Sequence, residues 1–206
     1  MGLSRRKLIF ATVVTLGLTG CAFSDWQTNY RDVIDPELSK NWRVSSIDVQ
    51  VPASLTVSEA NTFAPNTDIV WRGEPYGDRH VQVDKIITQA AQDGSANLKG
   101  SRAVRLVIVM RTFHALTERT RYTLQSAGVH NISFSAQVFD AKSGLALTPV
   151  DEIRADLVGY TGNQALASEA RGETQKSRIL NHVTRVIAGW LGTGEDVRRK
   201  FNRSGR

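Results

Sequence analysis

Two stretches decide the fold: Arg102-Ala-Val-Arg-Leu-Val-Ile-Val-Met-Arg-Thr-Phe-His114 and Val129-His-Asn-Ile-Ser-Phe-Ser-Ala-Gln-Val-Phe-Asp140. In the first, Val104, Leu106, Val107, Ile108, Val109 and Met110 fall on both sides of an extended chain, which predicts a central strand covered on each face. In the second, Ile132, Phe134, Ala136 and Val138 alternate with Asn131, Ser133, Ser135 and Gln137, the period of a strand with one buried face. Asp140 to Gly144 reads as a turn, and Leu145 to Tyr160 as the next strand. Toward the N-terminus, Trp42 to Val51 alternates and Pro52 closes it. Ala53 to Asp78 is irregular, punctuated by Pro65, Gly73, Pro75 and Gly77, with room for a short strand at Ile69-Val70-Trp71. Two helices follow from 3- and 4-residue apolar spacing. One runs from Arg79 to Gln92 through Val83, Ile86, Ile87, Ala90 and Ala91. The other runs through Ile179, Leu180, Val183, Val186, Ile187, Trp190 and Leu191 to a stop at Gly192. The expectation is one α+β domain over 42–192: a mainly antiparallel sheet of about four strands, with two amphipathic helices on one face.

The chain has 206 residues, with 41% hydrophobic and 22% charged, which excludes a disordered or fibrous protein. One cysteine excludes a disulfide framework and a multi-cysteine zinc site. The formal charge is +6, from 26 Lys and Arg against 20 Asp and Glu. It is concentrated at the two ends. Arg5, Arg6 and Lys7 precede the body, and Arg198, Arg199, Lys200, Arg203 and Arg206 close the chain. The body between is near neutral, so a nucleic-acid partner is not expected.

The first 20 residues read as an export signal. A basic start is followed by an apolar stretch from Leu8 to Gly20, too short to span a bilayer. Leu18-Thr19-Gly20-Cys21 resembles the lipobox of bacterial lipoproteins, in which the cysteine is acylated, as by palmitate, and becomes the mature N-terminus. Ser4 to Phe10, with Arg5 and Arg6, looks like a twin-arginine signal, although paired arginines also occur in ordinary export signals. Ala22, where an aspartate is absent, implies by the same resemblance an outer-membrane destination facing the periplasm. Residues 21–41 are expected to form a tether, and 193–206 a mobile basic tail suited to an anionic surface or merely to solubility.

Three further runs resemble the marker segments of a family of uncharacterised bacterial envelope lipoproteins. They are Pro65-Asn-Thr-Asp-Ile-Val-Trp-Arg-Gly-Glu74, Phe113-His-Ala-Leu-Thr-Glu-Arg-Thr-Arg-Tyr122 and Gly128-Val-His-Asn-Ile-Ser-Phe134. The resemblance implies a location and an architecture but no chemistry. The order of elements is also similar to that of periplasmic accessory lipoproteins of transport and envelope assembly, an analogy of fold alone.

Two groups of residues are candidates for chemistry. Asp68, Trp71, Arg72, Glu74 and His80 make the long loop polar and aromatic, which suits recognition of a sugar or peptide. The alternative has Trp71 anchoring the loop on the core, as buried aromatics usually do. His114 ends one long strand and His130 begins the next. Paired as a hairpin, both would lie on one face and, with Glu118, could approach a metal such as zinc. A third ligand at a recognisable spacing is missing, so two half-buried histidines are the plainer expectation. No Gly-x-Ser-x-Gly elbow and no phosphate-cradling glycine motif occur. The expected function is a lipid-anchored periplasmic protein without catalysis or cofactor. It would bind or assemble with an envelope protein or cell-wall polymer. The competing class is a metal-assisted periplasmic enzyme using His114 and His130.

Overall fold

A computed structural model describes residues 25–125 and 128–204; Arg5, Arg6, Leu18, Gly20 and Cys21 lie outside them. In chain order the elements are β1 (Asp25–Asn29), α1 (Pro36–Ser39), β2 (Trp42–Gln50), β3 (Ile69–Val70), α2 (Arg79–Ser95), β4 (Arg102–His114), α3 (Glu118–Thr123), β5 (Gly128–Asp140), β6 (Asp151–Ala155), β7 (Leu157–Gly159), α4 (Gly162–Ala170), α5 (Gln175–Trp190) and β8 (Asn202–Ser204). The sheet order is β2-β4-β5-β6-β1-β8, with β3 added to β4 and β7 to β5. This is a single mixed α/β domain with eight strands and five helices among the described residues, rather than four strands and two helices.

The two long strands form the expected antiparallel pair, from Val104 opposite Asp140 to His114 opposite Asn131. β2 instead runs parallel to β4. Helix α2 lies between them in sequence, and a helical crossover returns the chain in the same direction. Asp78 caps α2, its carboxylate accepting from the His80 and Val81 amides. The apolar faces of α2 and α5 share one core with Leu106, Ile108, Met110, Phe113, Phe134 and Val138. The opposite sheet face is only half covered: Arg105, Val107 and Val109 of β4 are of intermediate exposure, so β4 is not buried on both sides.

Three further expectations need correction. Residues 25–41 are not a tether, because β1 is an interior strand between β6 and β8. The segment after Gly192 does not leave the fold. Val197 is buried, the Thr28 amide donates to the Phe201 carbonyl at 3.0 Å, and β8 pairs with β1. β1 has five residues, only one of them apolar, and β8 has three, too few to show a period, which hid both strands. The strand expected from Leu145 to Tyr160 is broken in two at Asp156, whose buried side chain takes up neighbouring amides.

Candidate functional site

The long loop is clamped from beneath by its own charges. Trp71 is fully buried and packs edge-on against Phe113, with ring centroids 5.6 Å apart and planes at 87°. Its indole N–H donates to Glu74 Oε2 (2.9 Å), and Lys176 Nζ on α5 donates to Glu74 Oε1 (2.8 Å). Burial raises the Glu74 pKa, but those two partners outweigh it and hold the carboxyl below its usual value. Arg79, only 5% exposed, donates through Nε and Nη2 to both oxygens of Glu59 (2.6 and 3.0 Å). This fork holds Glu59 ionised. Arg72 pairs with Glu118 and donates to the Glu59 carbonyl (2.7 Å). Asp68 accepts from the Thr56 amide and hydroxyl (2.8 and 2.7 Å), and His80 Nε2 meets the Leu55 carbonyl at 3.1 Å. Every member of the expected binding loop is therefore engaged in fixing the loop, and Trp71 offers no surface to a ligand.

The two histidines do not converge. Between Met110 and Thr112 the register of β4 shifts, leaving Arg111 as a bulge. The extra residue inverts the alternation: Phe113 turns to the core opposite Ile132, and His114 pairs with Asn131 on the other face. His130 stays on the core face with Ile132, so the pair is split across the sheet. Burial lowers the His114 pKa, with the Asp68 carboxylate pulling the other way. Among the described residues no group of three or more His, Cys, Asp or Glu is placed to hold a metal ion.

A second polar cluster, around Asp156, escaped the sequence reading. Asp156 is fully buried. Its Oδ1 accepts from Asn131 Nδ2 (2.7 Å) and the Ile132 amide (2.9 Å), and its Oδ2 accepts from the Gln27 amide (2.9 Å). Burial raises its pKa, against the pull of those donors. Thr28 donates to the Asp156 carbonyl at 2.7 Å, and its hydroxyl lies 3.2 Å from His182 Nε2 on α5. One carboxylate thus ties β1, β5 and the β6–β7 break together, and its backbone reaches α5 through Thr28. The available signals were a lone acid between Ala155 and Leu157, and a histidine on the apolar face of the last helix. Near this cluster sits His130, 1% exposed, with no hydrogen-bond partner at Nδ1. The space bounded by His130, Arg121, Tyr160, Gln175 and Arg178 measures about 10 Å³, the size of one water molecule, so no substrate fits.

The larger hollows are open. One of about 490 Å³ lies between the β2 edge and α2, lined by Arg43, Ser45, Ile47, Thr88, Gln92 and Lys99. No carboxylate, imidazole or thiol lines it, so it brings no acid–base pair to a bound molecule.

No functionally curated protein matches the sequence. Solved structures match at low identity. A candidate lipoprotein from Caulobacter crescentus is 14% identical over 70% of this chain and 90% of its own, with a TM-score of 0.31. A DUF330-family protein from Xanthomonas campestris is 12% identical over 80% and 91%, with a TM-score of 0.43. The PelC dodecamer from Paraburkholderia phytofirmans is 8% identical over 79% and 96%, with a TM-score of 0.37. Residues 42–206, which contain all three marker segments, match one family model, and the chain belongs to that family, DUF6778, a family of unknown function.

Proposed function

We propose that this protein is a lipid-anchored lipoprotein of the bacterial envelope, held by Cys21 at the periplasmic face of the outer membrane. There it serves as a non-catalytic binding or assembly subunit for another envelope protein or a cell-wall polymer. One observation carries the anchoring. The sole cysteine ends the single signal-like apolar stretch, and the folded sheet begins four residues later at Asp25. The non-catalytic reading is supported by the fixed loop, the divided histidines and a buried cavity no larger than a water. Among the described residues no helix is long and apolar enough to cross a membrane, which is compatible with attachment by acyl chains. Fatty-acid labelling of cells expressing the full chain or Cys21→Ala tests the anchor. The wild type should take up label and fractionate with membranes, and the variant should do neither. Equal labelling of the two would end this reading. Metal analysis tests the other half: stoichiometric zinc that disappears in His114→Ala would restore the enzyme class.

A further inference from the structure

Exposed apolar side chains gather at one end of the sheet. β2, β4 and β6 finish at that end, and β1 and β5 begin there. Phe63, Tyr76, Tyr122 and Leu166 stand there, 47%, 86%, 45% and 55% exposed. The opposite end shows Leu38, Leu145 and Val150, with no exposed aromatic ring among the described residues. Phe63 belongs to the loop that Thr117 and Thr120 of the α3 region hold through the Thr62 and Phe63 carbonyls (2.7 and 2.9 Å). Tyr122 lies on α3 itself, and its hydroxyl reaches Glu169 of α4, the helix that carries Leu166. The Arg119 guanidinium sits 4.4 Å from the centre of the Phe63 ring. Exposed rings with cations beside them match the headgroup level of a bilayer, where amphipathic aromatics settle.

The chain outside the described residues says what covers this end. Three residues lie between Cys21 and Asp25, so the cysteine reaches no more than about 14 Å from the start of β1 even fully extended. Asp25 pairs with Ser204 at this same end of the sheet. The 13 residues of β4 make the sheet about 43 Å long. An anchor on Cys21 therefore draws the Phe63 end to the bilayer and leaves the Leu145 end far from it. We propose that the sheet end bearing Phe63, Tyr76, Tyr122 and Leu166 is a docking face for the lipid surface. This orientation rests on the anchoring of Cys21.

Because acylation consumes the one native thiol, Phe63→Cys, Leu166→Cys and Leu145→Cys each present a single cysteine for an environment-sensitive fluorophore. The labelled, lipidated full chain is placed on vesicles of phosphatidylethanolamine and phosphatidylglycerol containing nitroxide lipids. Probes at 63 and 166 should shift to the blue and be quenched several-fold more than the probe at 145. Thermal unfolding of each variant should match the parent, since all three sites are exposed. Protein that floats with vesicles but shows equal quenching at the three sites, or none at 63 and 166, overturns the docking face and leaves the anchor intact. In that case the rings belong to a protein partner. Protein that does not float with vesicles removes the anchor and this orientation with it.

Discussion

Trp71 is the side chain through which the long loop is joined to the core. Truncating it to alanine removes a fully buried ring and one of the two hydrogen-bond donors to Glu74, so Trp71→Ala should cost about 3–5 kcal/mol. Gly73 tests the same contact from above. A Cβ built there would lie 2.3 Å from the Trp71 ring, and Gly73→Ala should cost about 1–3 kcal/mol as the ring is pushed aside. Urea unfolding measures both; losses below about 1 kcal/mol would mean the ring does not hold the loop. The buried histidines set an acid limit on stability. His130 is held down to about 3 and His182 to about 4, in each case first by burial and then by neighbouring cations, Arg178 and Arg121 or Arg185 and Arg178. Between those values and 6.5 the unfolded chain binds protons that the folded chain refuses, so stability falls as pH drops through 6.5. At pH 5 each histidine should remove about 2 kcal/mol relative to neutral pH. Asp156, with its raised pKa, acts with the opposite sign from the ordinary carboxylate range upward. Comparing the parent with His130→Gln isolates the histidine: the loss between pH 7.5 and pH 5 should shrink by about 2 kcal/mol. An unchanged pH profile would place His130 outside this account.

Among the elements, the terminal segment departs most from its appearance in sequence. Its charges are used locally. Arg198 Nη2 meets Asp196 Oδ2 at 2.7 Å, Tyr30 donates to Asp196 Oδ1 at 2.9 Å, and Arg198 Nη1 donates to the Arg31 carbonyl at 3.1 Å. The Arg199 amide donates to the Thr28 carbonyl at 2.8 Å. Gly192 allows the turn out of α5, with φ at +72° and an added Cβ 2.3 Å from the Ile34 carbonyl oxygen. Deleting 198–206 should therefore lower the melting temperature by about 5 °C, the equivalent of about 2 kcal/mol in a domain of this size. An unchanged melting temperature in calorimetry would return the segment to a solvated tail. The long helices and strands were legible because a dozen or more residues repeat a period of 3.6 or 2. β1, β3 and β8 have two to five residues each, too few to display one, and only Ile69-Val70 betrayed itself by composition. The Arg111 bulge was invisible for a different reason. Apolar residues occupy both sides of the chain through Met110, so no break in period is visible in the sequence, and only the pairing with β5 shows that one residue is extra.

At the scale of the whole molecule, membership of a family without assigned activity and a single α/β domain could be anticipated, because each follows from apolar patterning or from the marker segments. The site could not. Trp71, Arg72, Glu74 and Arg79 look the same in sequence whether their charges face a ligand or one another, and only the closed geometry distinguishes the two. The pairing of β1 also bears on how the chain is made. Strands β6 and β8, its neighbours on either side, come from residues 151–155 and 202–204. A chain emerging from the ribosome N-terminus first must keep Asp25–Asn29 open on both edges until nearly all of it has followed. The first strand out is the last to be enclosed. A product ending before residue 151 would hold most of the helix α2 and β2–β4–β5 layer, yet present β1 as an unpaired strand. Such an edge invites pairing with other chains, so this fold makes early termination products prone to self-association.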